Sequence, residues 1–389
     1  MFSKRTDWIL TPNRFTEAQR EIKNAGNPLL DLILSNPTRA GLSFSTETIL
    51  DSLRDLRAMD YDPQPKGLLT AREAVSGNYR EEHDAVVDPE SIVLTTSTSE
   101  GYSHVLRLMC NAGDELLVPK PSYPLFEFLA DLQDVKLVPY PLIYDHGWQI
   151  DFQSLRDAVN ERTRAVVVVH PNNPTGSFVA AAERAELNKI CRSHDLALIV
   201  DEVFLDYSHD NNRPETFVSN DEVLTFSLSG LSKISGLPQM KLAWITTSGP
   251  AQEVNTALSR LEIIADTYLS VNAPIQLAAP VLLEQRKDIQ RQISERVRTN
   301  LRELDRQLAG QNSCQRLEVE GGWYVTLRVP AVQSDEDLAI ELLREASVLV
   351  HPGHFYDFPG DGYLIISLIT PEQEFRDGMS RILSILATE

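Results

Sequence analysis

The chain predicts an α/β protein: a large domain with a mostly parallel central sheet flanked by helices, followed by a smaller α/β C-terminal domain. Three observations carry this. Short apolar runs alternate with amphipathic stretches over most of the length. One run, "RAVVVVH" (164–170), is a row of β-branched residues suited to a strand buried on both faces. From about residue 285 the texture changes to a long charged helix and then a shorter β/α series.

Taken in order, "SIVLTT" (91–96) reads as a buried strand, and "SEGYSHVLRLMC" (99–110) after it has apolar residues at helical spacing. "GDELLVP" (113–119) is the next strand, and 164–170 a central one. "AERAELNKICRSH" (182–194) reads as a helix, "LALIVDEVF" (196–204) as a strand and "VLTFSLS" (223–229) as a further strand. "RKDIQRQISERVRTNLRELDRQLA" is one amphipathic helix. The domains expected are 45–285, and 1–44 together with 286–389, the N-terminal residues completing the smaller unit.

The bulk composition narrows the function. The 389 residues carry 36 Lys+Arg against 56 Asp+Glu, a formal net charge of −20. That balance argues against sequence-independent nucleic-acid binding and against anionic membranes, since both need basic surface. No stretch approaches the roughly 20 apolar residues that span a bilayer, and the start has no signal-peptide core. The three cysteines, at 110, 191 and 314, form no CxxC pair. They suggest neither a disulfide framework nor a metal site, and a reduced, cytoplasmic setting.

In open α/β sheets ligands bind beyond the carboxyl ends of strands. Four such ends here carry polar residues: Ser97-Thr98-Ser99, "PNNPTG" (171–176), Asp201-Glu202, and Lys233. A lysine amine forms Schiff bases with carbonyl compounds. Hydroxyl residues at a helix N-terminus receive a phosphate. An aspartate keeps a pyridine nitrogen protonated, which sustains its use as an electron sink. A phosphorylated pyridine aldehyde calls on all three, and pyridoxal 5'-phosphate is that molecule.

Over nearly its whole length the chain resembles the class I/II family of fold-type-I pyridoxal-phosphate-dependent aminotransferases. The resemblance rests on "SNPT" (35–38), "YDPQPKGLLTAREAV" (61–75), "NAGDELLVPKPSYPLF" (111–126), "HPNNPTG" (170–176), "DEVFLDY" (201–207), "SGLSK…GLPQMK" (229–241), "EGGWYVTL" (320–327) and "VHPGHFY" (350–356). Each motif alone is weak; their shared order and spacing is specific. The resemblance implies an amino-group transfer from an amino donor to a 2-oxo acid, in a homodimer with shared active sites. It implies Lys233 as the Schiff-base lysine and proton carrier, Asp201 facing the pyridine nitrogen, and Asn173 bonding the ring's phenolic oxygen. Tyr123 would stack on the ring; Ser97, Thr98 and Ser99 would bind the phosphate; Tyr61 would reach the phosphate of the other subunit.

The chain departs from the family in four places. Lys241 stands where an arginine usually clamps the phosphate, and a lysine is a point charge rather than a planar fork. Gly230 replaces a frequent phosphate-binding serine, with Ser229 and Ser232 beside it. Phe204 replaces a tyrosine that donates to the cofactor's phenolic oxygen, which predicts a higher pKa for the cofactor's imine with Lys233. Ile365, in "YLIISLIT" (363–370), stands where an arginine usually binds the substrate carboxylate. Asn36 and Arg39 follow as candidate substrate contacts, Arg39 as a substitute cation or simply a solvated loop residue. His170 and His351 read as packing or loop histidines. A lyase or decarboxylase on the same scaffold, or a protein that binds the cofactor and only senses, remain as alternatives.

Overall fold

A computed structural model describes residues 1–26, 28–210 and 214–387. Eight strands form the large sheet: β1 (Ile92–Thr95), β2 (Glu115–Lys120), β3 (Lys136–Tyr144), β4 (Trp148–Ile150), β5 (Thr163–Val169), β6 (Ala197–Asp201), β7 (Thr225–Gly230) and β8 (Ala243–Ser248). Their order is β1-β8-β7-β6-β5-β2-β3-β4. Parallel pairing joins β7, β6, β5, β2 and β3 in turn. Only β8, between β1 and β7, and β4, at the edge, run against their neighbours.

The continuous apolar runs have a direct explanation. In β5, Val166 and Val168 enter one apolar cluster, while Ala165 and Val167 enter another on the opposite face. In β6, Leu198 and Val200 divide from Ala197 and Ile199 in the same way. Both faces are covered by helices, so the middle positions of these strands are apolar and their polar residues fall at the ends.

A second, four-stranded sheet comprises β9 (Gln315–Arg316), β10 (Tyr324–Arg328), β11 (His351–Pro352) and β12 (Tyr363–Ser367), in the order β9-β10-β12-β11. The long helix Arg286–Leu308 lays Ile293, Val297 and Leu304 against the same apolar cluster as Val325, Leu327, Leu364 and Ile366. The N-terminal stretch joins this cluster through Phe15, Ala18 and Leu32. Leu30 and Asp31 pair in parallel with Val348 and Leu349.

The strand read over 196–204 is shorter than its apolar pattern. It stops at Asp201 because the backbone N–H of Val203 donates to Asp201 Oδ1 at 3.1 Å. The side chain takes a donor that would otherwise extend the ladder, and the chain turns.

Candidate active site

The carboxyl ends of β1, β5, β6 and β7 open onto one cavity of about 410 Å³. Its walls include Ser97, Thr98, Ser99, Asn173, Asp201, Phe204 and Lys233, each within four residues of a strand end. Tyr123, from the turn after β2, also lines it and is 46% exposed.

Asp201 ends β6 between Val169 of β5 and Leu228 of β7. Its carboxylate accepts from Val203 N–H and, at 3.2 Å, from the hydroxyl of Tyr102. Burial pushes its pKa up to about 6; those two bonds and the positive charge of Lys233 pull it back down. The neighbouring Glu202 faces elsewhere. It is held by the Thr216 hydroxyl and by Phe217 N–H at 2.6 Å, and it does not line the cavity.

Lys233 follows β7 in the short helix Leu231–Ile234. Its amine lies 5.2 Å from the centroid of the Phe204 ring and 4.8 Å from that of Trp323. Burial lowers its pKa to about 8, opposed by the carboxylate of Asp201. The Tyr207 hydroxyl donates to the Lys233 carbonyl at 2.7 Å and fixes the turn that carries the lysine.

The helix Thr98–Met109 begins at the cavity with Ser97 as its N-cap, the Ser97 Oγ accepting from Glu100 N–H at 3.2 Å. Helix geometry leaves first-turn amides without an intrahelical acceptor, and the positive end of the helix dipole falls there. Gly230 is glycine for a steric reason. A Cβ there would stand 2.7 Å from Ala243 Cβ and 2.9 Å from Leu242 O. A serine cannot occupy 230, and of its two neighbours only Ser232 lines the cavity. Ser229 is turned toward the Glu202 carbonyl.

Four expected residues lie outside the cavity. Lys241 is exposed, in a left-handed conformation (φ 54°), two residues before the cavity-lining Ala243. Tyr61 is 85% exposed and lines a separate groove with Asn272. Asn36 caps the turn Pro37–Arg39, its Oδ1 accepting from Thr38 N–H and hydroxyl. Arg39 is exposed in that turn.

Conversely, sequence reading missed part of the site. Tyr102 lies three residues after Ser99, on the same face of its helix, and that spacing was available as a signal. Ser35, Tyr324 and Tyr356 carried no such mark. His351, read as a packing or loop residue, lines the cavity, though burial drops its pKa to about 4. His170 is a core histidine: its Nδ1 accepts from Val179 N–H at 3.0 Å, between the rings of Phe178 and Phe217.

A buried lysine and carboxylate at strand ends, beside a hydroxyl-lined helix start, define an enzyme of amine–carbonyl chemistry. The profile of the family "Aminotransferase class I and II" matches residues 53–382. The chain belongs to that family. It is 28% identical over 363 residues to the glutamate-pyruvate aminotransferase of Escherichia coli K12, covering 90% of this chain and 89% of the relative. It is 25% identical over 378 residues to the alanine aminotransferase of Mycobacterium tuberculosis H37Rv, covering 93% and 86%. Among solved structures, an aminotransferase from Escherichia coli superposes with a TM-score of 0.87 at 24% identity, covering 100% of this chain and 98% of that one. The alanine aminotransferase of Pyrococcus furiosus also gives 0.87, at 21% identity and full coverage of both chains. At those identities the structural likeness speaks for the fold.

Proposed function

We propose that this aminotransferase moves an amino group from an α-amino acid to a 2-oxo acid with pyridoxal 5'-phosphate held in the cavity. The observation that carries the reading is that Lys233 and Asp201 face one cavity, in which a further polar side chain lacks a partner. Asn173 Oδ1 is buried there without a hydrogen-bond partner. The Asn173 amide, whose N–H₂ can donate, the helix start at Ser97 and the buried carboxylate suit a phenolic oxygen, a phosphate and a pyridine nitrogen in turn. The residues present therefore fit the group.

Asn173, Asp201, Tyr123 and the Ser97–Ser99 turn would hold the cofactor, with Ser232 beside the phosphate. When bound, it supplies an electron sink that stabilises negative charge at the substrate's α-carbon. The chain's own residues do the rest. Lys233 Nζ, with its proton affinity lowered by burial, is a competent nucleophile and base near neutral pH. It could take a proton from the substrate's α-carbon and later give a proton back. The rings of Phe204 and Trp323 keep water from that amine and restrict its reach. Tyr102 fixes the orientation of the Asp201 carboxylate.

Residues 45–285 form the cofactor-binding domain in this proposal, and 1–44 with 286–389 the smaller one. The working form is a homodimer in the cytoplasm. Leu56, Met59 and Tyr61 expose large apolar side chains within six residues, which suits a subunit contact. Tyr61 would then enter the partner's phosphate site, and Lys241 would add positive charge at the phosphate. The three cysteines are unpaired, in keeping with a reducing compartment. Asn36 and Arg39 would be outer contacts of the substrate.

The test is isotopic. With a ¹⁵N-labelled amino donor and a 2-oxo acid, wild type should deliver ¹⁵N to the acceptor, and Lys233→Ala should not. Release of carbon dioxide or ammonia without labelled product would instead favour the decarboxylase or lyase reading.

A further inference from the structure

An α-amino acid brings a carboxylate into the cavity, and that group needs a partner. Among the described residues lining the cavity, Lys233 is the only lysine or arginine. His351 is the only imidazole, and it is neutral at pH 7. Ile365 cannot help, because its side chain is buried in the apolar cluster of the second sheet.

The strand partners of Ile365 are His351 and Thr326, and hydroxyl groups lie one contact further out. Ile365 pairs across β12 with His351 of β11, whose Nδ1 is 3.0 Å from the Tyr356 hydroxyl. Two residues on, Ser367 pairs with Tyr324 of β10. The Ser367 Oγ also donates to the Leu34 carbonyl at 2.5 Å, which ties Ser35 to the same strand. The Ser35 side chain lies beside the Tyr324 hydroxyl and favours its ionised form, against the larger opposing effect of burial. Ser35, Tyr324, Tyr356 and His351 all line the cavity.

We infer that these hydroxyls replace the missing arginine: Ser35–Tyr324 and Tyr356–His351 hold the substrate carboxylate through uncharged O–H donors. The inference rests on the aminotransferase reading. His351 and Tyr356 share one proton between them and have a second to give, and Ser35 and Tyr324 bring two hydroxyl protons of their own. With its proton on Nδ1, neutral His351 donates to Tyr356 and leaves that hydroxyl's proton for the substrate. Two spare O–H groups meet the two oxygens of a carboxylate, and hydrogen bonds to an ionised acceptor are roughly twice as strong as neutral ones. Burial raises the pKa of both tyrosines, so they stay protonated donors across the working range.

The test measures binding rather than turnover. The holoenzyme is titrated calorimetrically with 3-phenylpropionate, a carboxylate without an amine, and with its uncharged amide. Tyr324→Phe and Tyr356→Phe should each weaken carboxylate binding about 10-fold, and the double variant roughly 100-fold. Amide binding should change less than about 3-fold in the same variants. In turnover, KM for the amino donor should rise while kcat is largely kept. Ser35→Ala provides a variant away from the tyrosine packing and should act in the same direction. The inference is overturned if the tyrosine variants bind the carboxylate as wild type does. It is equally overturned if wild type fails to bind it, or prefers the amide, which would mark a substrate without a carboxylate. Failure of the aminotransferase reading itself shows separately, as wild type that takes up cofactor yet transfers no label from any donor.

Discussion

The two walls of the cavity are built on opposite principles. The wall of β1, β5, β6 and β7 is charged and comes from one sheet: Asp201, Lys233 and the helix start at Ser97. The facing wall comes from the N-terminal stretch, the second sheet and the turn after β11, and is neutral: Ser35, Tyr324, His351 and Tyr356. In the proposed reaction the charged wall would carry the chemistry, which tolerates few residue types, because a nucleophilic amine and a buried carboxylate have no substitutes. The neutral wall would select what enters, and many combinations of hydroxyls and rings can do that. A chain can therefore keep the first wall close to its family's pattern while rebuilding the second.

The largest effect that would break this contrast is at Lys233. Lys233→Ala should lower amino transfer by about 10³-fold or more while the circular dichroism of the apoprotein is unchanged. In wild type, covalent uptake of pyridoxal phosphate needs the neutral amine, so its rate should climb with pH and level off above about 8. A rate that stays flat between pH 6 and pH 10 would remove the claim that burial tunes this amine.

Next in size is Asp201→Asn, which should cut kcat about 100-fold, since an amide cannot hold a pyridine nitrogen protonated. It also has a stability signature in the apoprotein. The folded-state pKa of Asp201 is raised from 3.8 to about 6. A raised carboxyl favours folding in its protonated form, and that benefit is lost as pH rises through about 6. Asp201→Asn should therefore be more stable than wild type at pH 7.5, by roughly 2 kcal/mol, with the difference closing near pH 4. Denaturant melts of the two apoproteins at both pH values check this; equal melts at pH 7.5 would contradict it.

The smallest effect sharpens the contrast. Phe204 sits at the edge of the charged wall, its ring 5.2 Å from that of Trp323. Phe204→Tyr adds a donor toward the phenolic oxygen and should shift the pH titration of the holoenzyme's visible band to lower pH, by about one unit. Coincident titration curves would show that position 204 does not face the cofactor.

The difference between the walls also sets what the sequence discloses. Lys233, Asp201, Asn173 and Ser97–Ser99 are legible because each follows a recognisable strand at a characteristic offset. Phe204 and Tyr123 are legible through the motifs around them. The neutral wall is not, because Ser35 and Tyr324 are 289 residues apart in sequence. Only the pairing of Tyr324 with Ser367, and of Ser367 with the Leu34 carbonyl, brings them together. Ile365 announces an absence, but nothing local to it names the hydroxyls that stand nearby. The shortened strand at Asp201 was hidden for a related reason. Apolar pattern continues through Val203 and Phe204, and only the side-chain bond from Asp201 ends the ladder.

The most direct measurement is the visible spectrum of the purified holoenzyme as single α-amino acids are added, with Lys233→Ala as control. At least one amino acid should convert the cofactor's aldehyde-form band to the amine-form band, and a 2-oxo acid should restore it. No such conversion with any α-amino acid, while the cofactor is demonstrably bound through Lys233, would contradict it.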